Sequence, residues 1–155
     1  MLTTVERLIF IQQVPIFAEL RDDFIVKLAS VMDELSFPAK HTIFRQNEEG
    51  GSLYILMSGS VSIYNGDKVI AQISDKSENN YFGEMAVFDA MERSASVITN
   101  EPCDCLELTQ EQLYEAIEET PEIALNIIRV LSKRIRKLNQ LIPSHQTFQE
   151  LSSYT

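Results

Sequence analysis

The chain has 155 residues, of which 45% are hydrophobic and 23% charged, with a formal net charge of -10. That length suffices for one domain with a real core, and the balance is that of a globular chain rather than a disordered one. So acidic a surface repels phosphate backbones and anionic lipid, which disfavours a general nucleic-acid or membrane-surface role and makes individual arginines worth following.

The first third reads as helical. Val5, Leu8, Ile9 and Gln12 keep helical spacing up to Pro15, with Glu6 and Arg7 inside the apolar pattern and no small-residue cleavage site, unlike a signal peptide. A second helix runs from Phe24 through Leu28, Ala29 and Met32, with Arg21-Asp22-Asp23 as its polar N-cap. After Pro38 the period changes to that of strands: Thr42-Ile43-Phe44, Leu53-Tyr54-Ile55-Leu56, Val61-Ser62-Ile63-Tyr64 and Val69-Ile70-Ala71-Gln72-Ile73. Asn65-Gly66 between two of these runs predicts a tight hairpin with both residues at positive φ. Two further strands, Ser94 to Thr99 and Cys103 to Leu108, flank Asn100-Glu101-Pro102.

Thr109 opens another helix, with Gln112 three residues on as a capping-box partner. Pro121 restarts a long one in which Ile123, Ile127, Leu131, Ile135, Leu138 and Ile142 recur every three or four residues, ending at Pro143. The pattern predicts a mainly β fold, an antiparallel β-roll (double-stranded β-helix or jelly roll) with N-terminal helices and a long C-terminal helix. Residues 1–142 are expected to form one domain and 143–155 a flexible tail. No apolar run approaches the ~18 residues a bilayer span requires.

One stretch breaks the alternation: Asn80-Tyr81-Phe82-Gly83-Glu84-Met85-Ala86-Val87-Phe88, followed by Arg93-Ser94-Ala95-Ser96-Val97. A glycine leads into a short apolar turn whose free N–H groups suit an anion, and Gly83 lets a ligand approach the backbone. Glu84 can accept hydrogen bonds from a sugar hydroxyl. Arg93 offers a planar fork matched to two phosphate oxygens, and Ser94 adds a hydroxyl. Together they make a sugar-phosphate pocket. Phe82, Met85, Val87 and Phe88 are expected in the core, and Tyr64 and Tyr81 half-buried in the sheets.

Phe82-Gly83-Glu84-Met85-Ala86 followed by Arg93-Ser94-Ala95-Ser96-Val97 resembles the phosphate-binding cassette of cyclic-nucleotide-binding domains, and the likeness extends over about Leu8 to Leu138. It implies an eight-stranded roll, ligand contacts from Phe82, Gly83, Glu84, Met85, Ala86, Arg93, Ser94 and Ala95, and possible base contacts from Arg134, Leu138 and Asn139. Within it, Gly83 and Met85 would contribute backbone, Glu84 would hold the ribose 2′-hydroxyl, and Arg93 would neutralise the phosphate. Many relatives have glycine where this chain has Lys40, Asn47 and Asn79, and proline where it has Glu92; Lys40 is the residue that would mark a changed turn.

The resemblance implies a cytoplasmic sensor for cyclic AMP, with cyclic GMP second, that moves its C-terminal helix and acts on an effector protein or domain outside this sequence. It implies no enzyme activity, cofactor or metal, and no nucleic acid or membrane insertion. The stripe on the long helix would pack on its own roll or make a homodimer. The basic cluster Arg129, Lys133, Arg134, Arg136 and Lys137 suits a helix C-terminal half rather than DNA. The alternative is the same fold without its ligand, serving as an oligomerisation module. A metalloenzyme is disfavoured because His41 and His145 are the only histidines. Cys103 and Cys105 are too close for easy disulfide closure, so reduced thiols are expected.

Overall fold

A computed structural model describes residues 2–89 and 91–142. The proposed tail, 143–155, and with it His145, lies outside them. Three helices come first: α1 (Thr4–Ile11), α2 (Pro15–Ala18) and α3 (Asp22–Val31). Thr3 caps α1 with Glu6 answering three residues on, a capping box. Pro15 does not stop the helical region. It sits in the first turn of α2, where its missing N–H costs nothing. Nor does a polar side chain cap α3: Arg21 occupies the N-cap without a side-chain bond, pairs with Asp23, and gives its backbone N–H to Asn126.

Eight strands follow in two four-stranded antiparallel sheets. One sheet has the order β1 (Asp33–Phe37), β8 (Cys103–Thr109), β3 (Ser52–Ser58), β6 (Tyr81–Phe82). The other runs β2 (Thr42–Phe44), β7 (Ser96–Thr99), β4 (Ser60–Asn65), β5 (Lys68–Ser74). A short helix, α4 (Ala86–Asp89), precedes β7, and α5 (Gln110–Glu119) and α6 (Glu122–Gln140) close the chain. The Thr109–Gln112 capping box opens α5 as expected. This is the β-roll with flanking helices that the pattern predicted.

The strands β3 and β8 explain the two layers of core. Their side chains alternate, so Leu53, Ile55, Leu106 and Leu108 join the helices, while Tyr54, Leu56, Cys103 and Cys105 point between the sheets. Buried on both faces, β3 reads as a continuous apolar run. Both cysteines are free and buried, and burial pushes the Cys105 thiol up to about 12.

Among the described residues, positive φ occurs at Lys40, Asn47, Gly59, Gly66 and Gly83. The β4–β5 hairpin loop is Gly66-Asp67, one residue later than expected: Asn65 pairs with Lys68, and Gly66 alone has φ 63°. Glycine at the first central position is the primed turn that follows strand twist. Lys40 and Asn47 stand at φ 59° and 72°, so both take the left-handed backbone that glycine adopts most readily; Asn79 does not. Lys40 therefore strains its turn, and its N–H reaches the Thr99 carbonyl at 2.9 Å. Left-handed backbone costs a side-chain-bearing residue about 1–2 kcal/mol, partly offset by the unfolded-state entropy glycine adds. Lys40→Gly is expected to raise stability by about 0.5 kcal/mol in urea melts.

The long helix divides along its length. Ile123, Ile127 and Val130 are buried against the body, whereas Ile135 and Leu138 are 53% and 63% exposed. Only the first half of the predicted stripe packs on its own chain, with α2 and α5 as its main neighbours. Ile142 lies beyond the helix, which ends at Gln140. No helix among the described residues is long and apolar enough to cross a membrane.

Candidate functional site

A cleft of about 420 Å³ opens between the two sheets and α4. All eight cassette residues, Phe82 to Ala86 and Arg93 to Ala95, line it. Its floor is apolar, from Phe44, Ile63 and Val97, and Asp89, Met91 and Glu92 complete its wall.

Local backbone forces this convergence. The strand β6 ends at Phe82, and Gly83 turns the chain with φ 79° before α4 begins. The return is fixed by two backbone bonds, from Arg93 N–H to the Glu48 carbonyl and from Asn47 N–H to the Arg93 carbonyl, both 2.8 Å. The left-handed turn at Asn47 thus holds Arg93 in register before β7, and Gln46 N–H donates to Ser96 Oγ at 2.8 Å.

Arg93 is only 6% exposed. Its guanidinium carbon sits 4.0 Å from the centroid of the Phe44 ring, and Nη2 donates to the Ser52 carbonyl at 3.1 Å. The Nε has no acceptor, and among the described residues no carboxylate lies within ion-pair distance of this group. Burial lowers its pKa, opposed by the field of Tyr54, Glu107 and Glu48. A buried charge without its own counter-charge is costly, so the arrangement favours an anionic guest. Beneath it, Phe44, Tyr54 and Phe82 form an aromatic cluster with centroids 5.3–6.1 Å apart.

Glu84 supplies the complementary polarity. Its Oε2 is buried without a hydrogen-bond partner. Burial pushes this carboxyl above the ordinary glutamate range, and the Arg134 guanidinium on α6 partly restrains it. Tyr81 feels the same two groups. Arg134 is thus electrostatically linked to the cleft although it is not part of its lining.

Leu138 and Asn139 also lie outside the lining, with Leu138 exposed and Asn139 half-buried. Met85 is corrected: it is 57% exposed at the cleft, not in the core, whereas Phe82 and Val87 are buried and Tyr64 and Tyr81 half-buried. Sequence reasoning missed Phe44 and Ser52, which seat the arginine. Their strands were legible, but nothing local tied them to a residue so much later in the chain. Among the described residues no cluster of histidine, cysteine and carboxylate groups could hold a metal.

A family model described as "Cyclic nucleotide-binding domain" matches residues 34–120. The chain is 31% identical over 128 residues to a "CRP-like cAMP-activated global transcriptional regulator" from Mycobacterium tuberculosis, covering 80% of this chain and 56% of that protein. It is 33% identical over 112 residues to the "cGMP-dependent protein kinase egl-4" of Caenorhabditis briggsae, covering 70% of this chain and 15% of the kinase. The chain thus spans about half the length of the bacterial relative and far less of the kinase. The N-terminal domain of a transcriptional regulator from Streptomyces coelicolor superposes with a TM-score of 0.76 at 24% identity, over 87% of this chain and 98% of that one. That last likeness concerns the fold.

Proposed function

This chain belongs to the cyclic nucleotide-binding domain family, and from that premise we propose that its cleft binds a cyclic nucleotide and that the domain acts as a cytoplasmic sensor, not a catalyst. The reading rests above all on one observation: a buried, uncompensated guanidinium shares a cleft with a buried, unpartnered carboxylate oxygen. A cyclic nucleotide satisfies both at once. Its monoanionic phosphate answers Arg93, and its ribose 2′-hydroxyl donates to Glu84. The backbone at Gly83 and Met85 and the Ser94 hydroxyl complete the contacts. Cyclic AMP is the first candidate and cyclic GMP the second, following the ligands named in the relatives.

Residues 1–142 constitute the sensor, and the output lies in an effector protein or domain outside this sequence. Coupling runs through Arg134. This cation restrains Glu84 from α6. When the ribose engages Glu84, the electrostatic contact with α6 changes, and whichever helix position binds the nucleotide more tightly gains population. Leu138 and Asn139 meet the base only if that movement brings the helix over the cleft. The exposed Ile135 and Leu138 give the same helix a face for a second copy, with α6 packing on its equivalent.

Calorimetric titration with cyclic AMP, cyclic GMP and AMP across a pH series tests the reading. The cyclic compounds are expected to bind and AMP to bind far more weakly. Ionised Glu84 accepts a hydroxyl hydrogen bond more strongly than the protonated acid does, so affinity falls as pH drops through its raised pKa, before the ordinary glutamate range is reached. Ligand-free stability moves the opposite way. The folded state holds this proton more tightly than the unfolded chain, a contribution present at low pH and lost as pH rises through the folded pKa. Glu84→Gln removes this component of both slopes. No heat with either cyclic nucleotide would defeat the proposal.

A further inference from the structure

Gly50 has no conformational reason to be glycine, since the positive-φ glycines are Gly59, Gly66 and Gly83. Its reason is spatial. A Cβ on Gly50 would lie 2.8 Å from Arg93 Nε, 3.1 Å from Nη2 and 3.3 Å from the guanidinium carbon. On the opposite side, a Cβ on Gly83 would lie 2.9 Å from Nη1. The head group therefore occupies a slot between two missing side chains, with the Phe44 ring against it and the Ser52 carbonyl accepting from Nη2. The loop that makes one wall of this slot also holds the other end of the residue, because Asn47 and Glu48 bond the Arg93 backbone.

On the reading that Arg93 receives the cyclic phosphate, we infer that Gly50 is its positioning residue: the vacant side-chain space at Gly50 sets the orientation in which the guanidinium meets ligand. Gly50 does not line the cleft and acts only through Arg93. The segment from Asn47 to Ser52 is then a single holder for one arginine. It clamps the backbone at its start, leaves room for the Nε edge in the middle, and accepts a guanidinium hydrogen bond at its end. A methyl group at Gly50 cannot coexist with the guanidinium as placed, since ordinary non-bonded contacts begin near ~3.5 Å. The flexible side chain gives way before the backbone does. The displaced head group loses the Ser52 bond or lifts from the Phe44 ring, and the phosphate contact is misaligned.

The test compares wild type with Gly50→Ala by calorimetry and by the side-chain Nε–H signal of Arg93 in ¹H–¹⁵N spectra, assigned by its absence in Arg93→Met. The variant is expected to fold with a near-normal urea midpoint and to bind cyclic AMP about tenfold or more weakly, the loss of one charge-assisted hydrogen bond. Its Nε–H signal is expected to be displaced already in the ligand-free protein, which a merely structural role elsewhere in the loop would not produce. An unchanged affinity with an unmoved signal overturns the inference, and so does a variant that does not fold. If wild type binds neither cyclic nucleotide, the functional reading fails by itself. The Nε–H signal then still decides whether Gly50 positions Arg93, supporting it if displaced and overturning it if unmoved.

Discussion

Arg93→Ala is expected to weaken cyclic AMP binding by about 3–5 kcal/mol, or ~10²- to 10⁴-fold in dissociation constant, on the basis of ~1.5–3 kcal/mol for each charge-assisted hydrogen bond. The size follows from burial. At 6% exposure and with no acid of its own, this guanidinium offers the phosphate a contact that water neither screens nor replaces. The same isolation makes a second, opposite effect measurable. Arg93→Met keeps the stem packed near Phe44 but removes a buried charge that makes no ion pair among the described residues. Its ligand-free midpoint is therefore expected to be no lower than wild type, despite losing the bond to the Ser52 carbonyl. Wild type at 100 times its dissociation constant should gain about 2.7 kcal/mol from the nucleotide, and Arg93→Met nothing measurable. The comparison needs only melting curves with and without cyclic AMP. If Arg93→Ala binds as tightly as wild type in calorimetry, the phosphate does not lie on this guanidinium.

What the sequence disclosed, and what it hid, follows from the range of each interaction. The cassette was legible because its parts lie within one short segment, and the glycine, the acid and the arginine each have a local signature. Lys40 and Asn47 drew notice only through the resemblance, which sets glycine at both positions; asparagine tolerates left-handed backbone, but a lysine by itself gives no sign of it. The strands β1 and β6 were not read from periodicity. The first is a half-buried, largely polar strand, and the second has two residues and no period to detect. The hairpin was found one residue out of register, since Asn65-Gly66 and Gly66-Asp67 both suit a tight turn and strand pairing alone decides between them. Met85 was misplaced because an apolar residue in a helical turn has the same period whether it faces a core or the wall of a cleft. For α6, a stripe of isoleucine and leucine states that a face will be covered without stating by what. The structure shows where cover of the stripe by its own chain stops, after Leu131. The holder for Arg93 was hidden most completely. A vacancy at Gly50 acquires meaning only when a side chain from a distant segment is laid into it.

Gly83→Ala is expected to destabilise the ligand-free protein by about 3 kcal/mol or more, combining ~1–3 kcal/mol for forcing a side-chain-bearing residue to positive φ with ~1–3 kcal/mol for overpacking. Both terms are specific to the site. The residue sits at φ 79°, and an added Cβ would lie 2.6 Å from the Ser52 carbonyl oxygen, a backbone atom of the core strand β3 that cannot swing aside. The same Cβ would lie 2.9 Å from Arg93 Nη1, so relief by moving the β6 end away from β3 also opens the slot that holds the guanidinium. Stability and ligand affinity should therefore fall together in Gly83→Ala, whereas in Gly50→Ala affinity falls and stability stays. Urea melts and calorimetry on the two variants separate these effects. A Gly83→Ala protein with wild-type midpoint and wild-type cyclic AMP affinity would mean that the chain after Phe82 does not press against Ser52, and the architecture of the cleft would need to be redrawn from that contact outward.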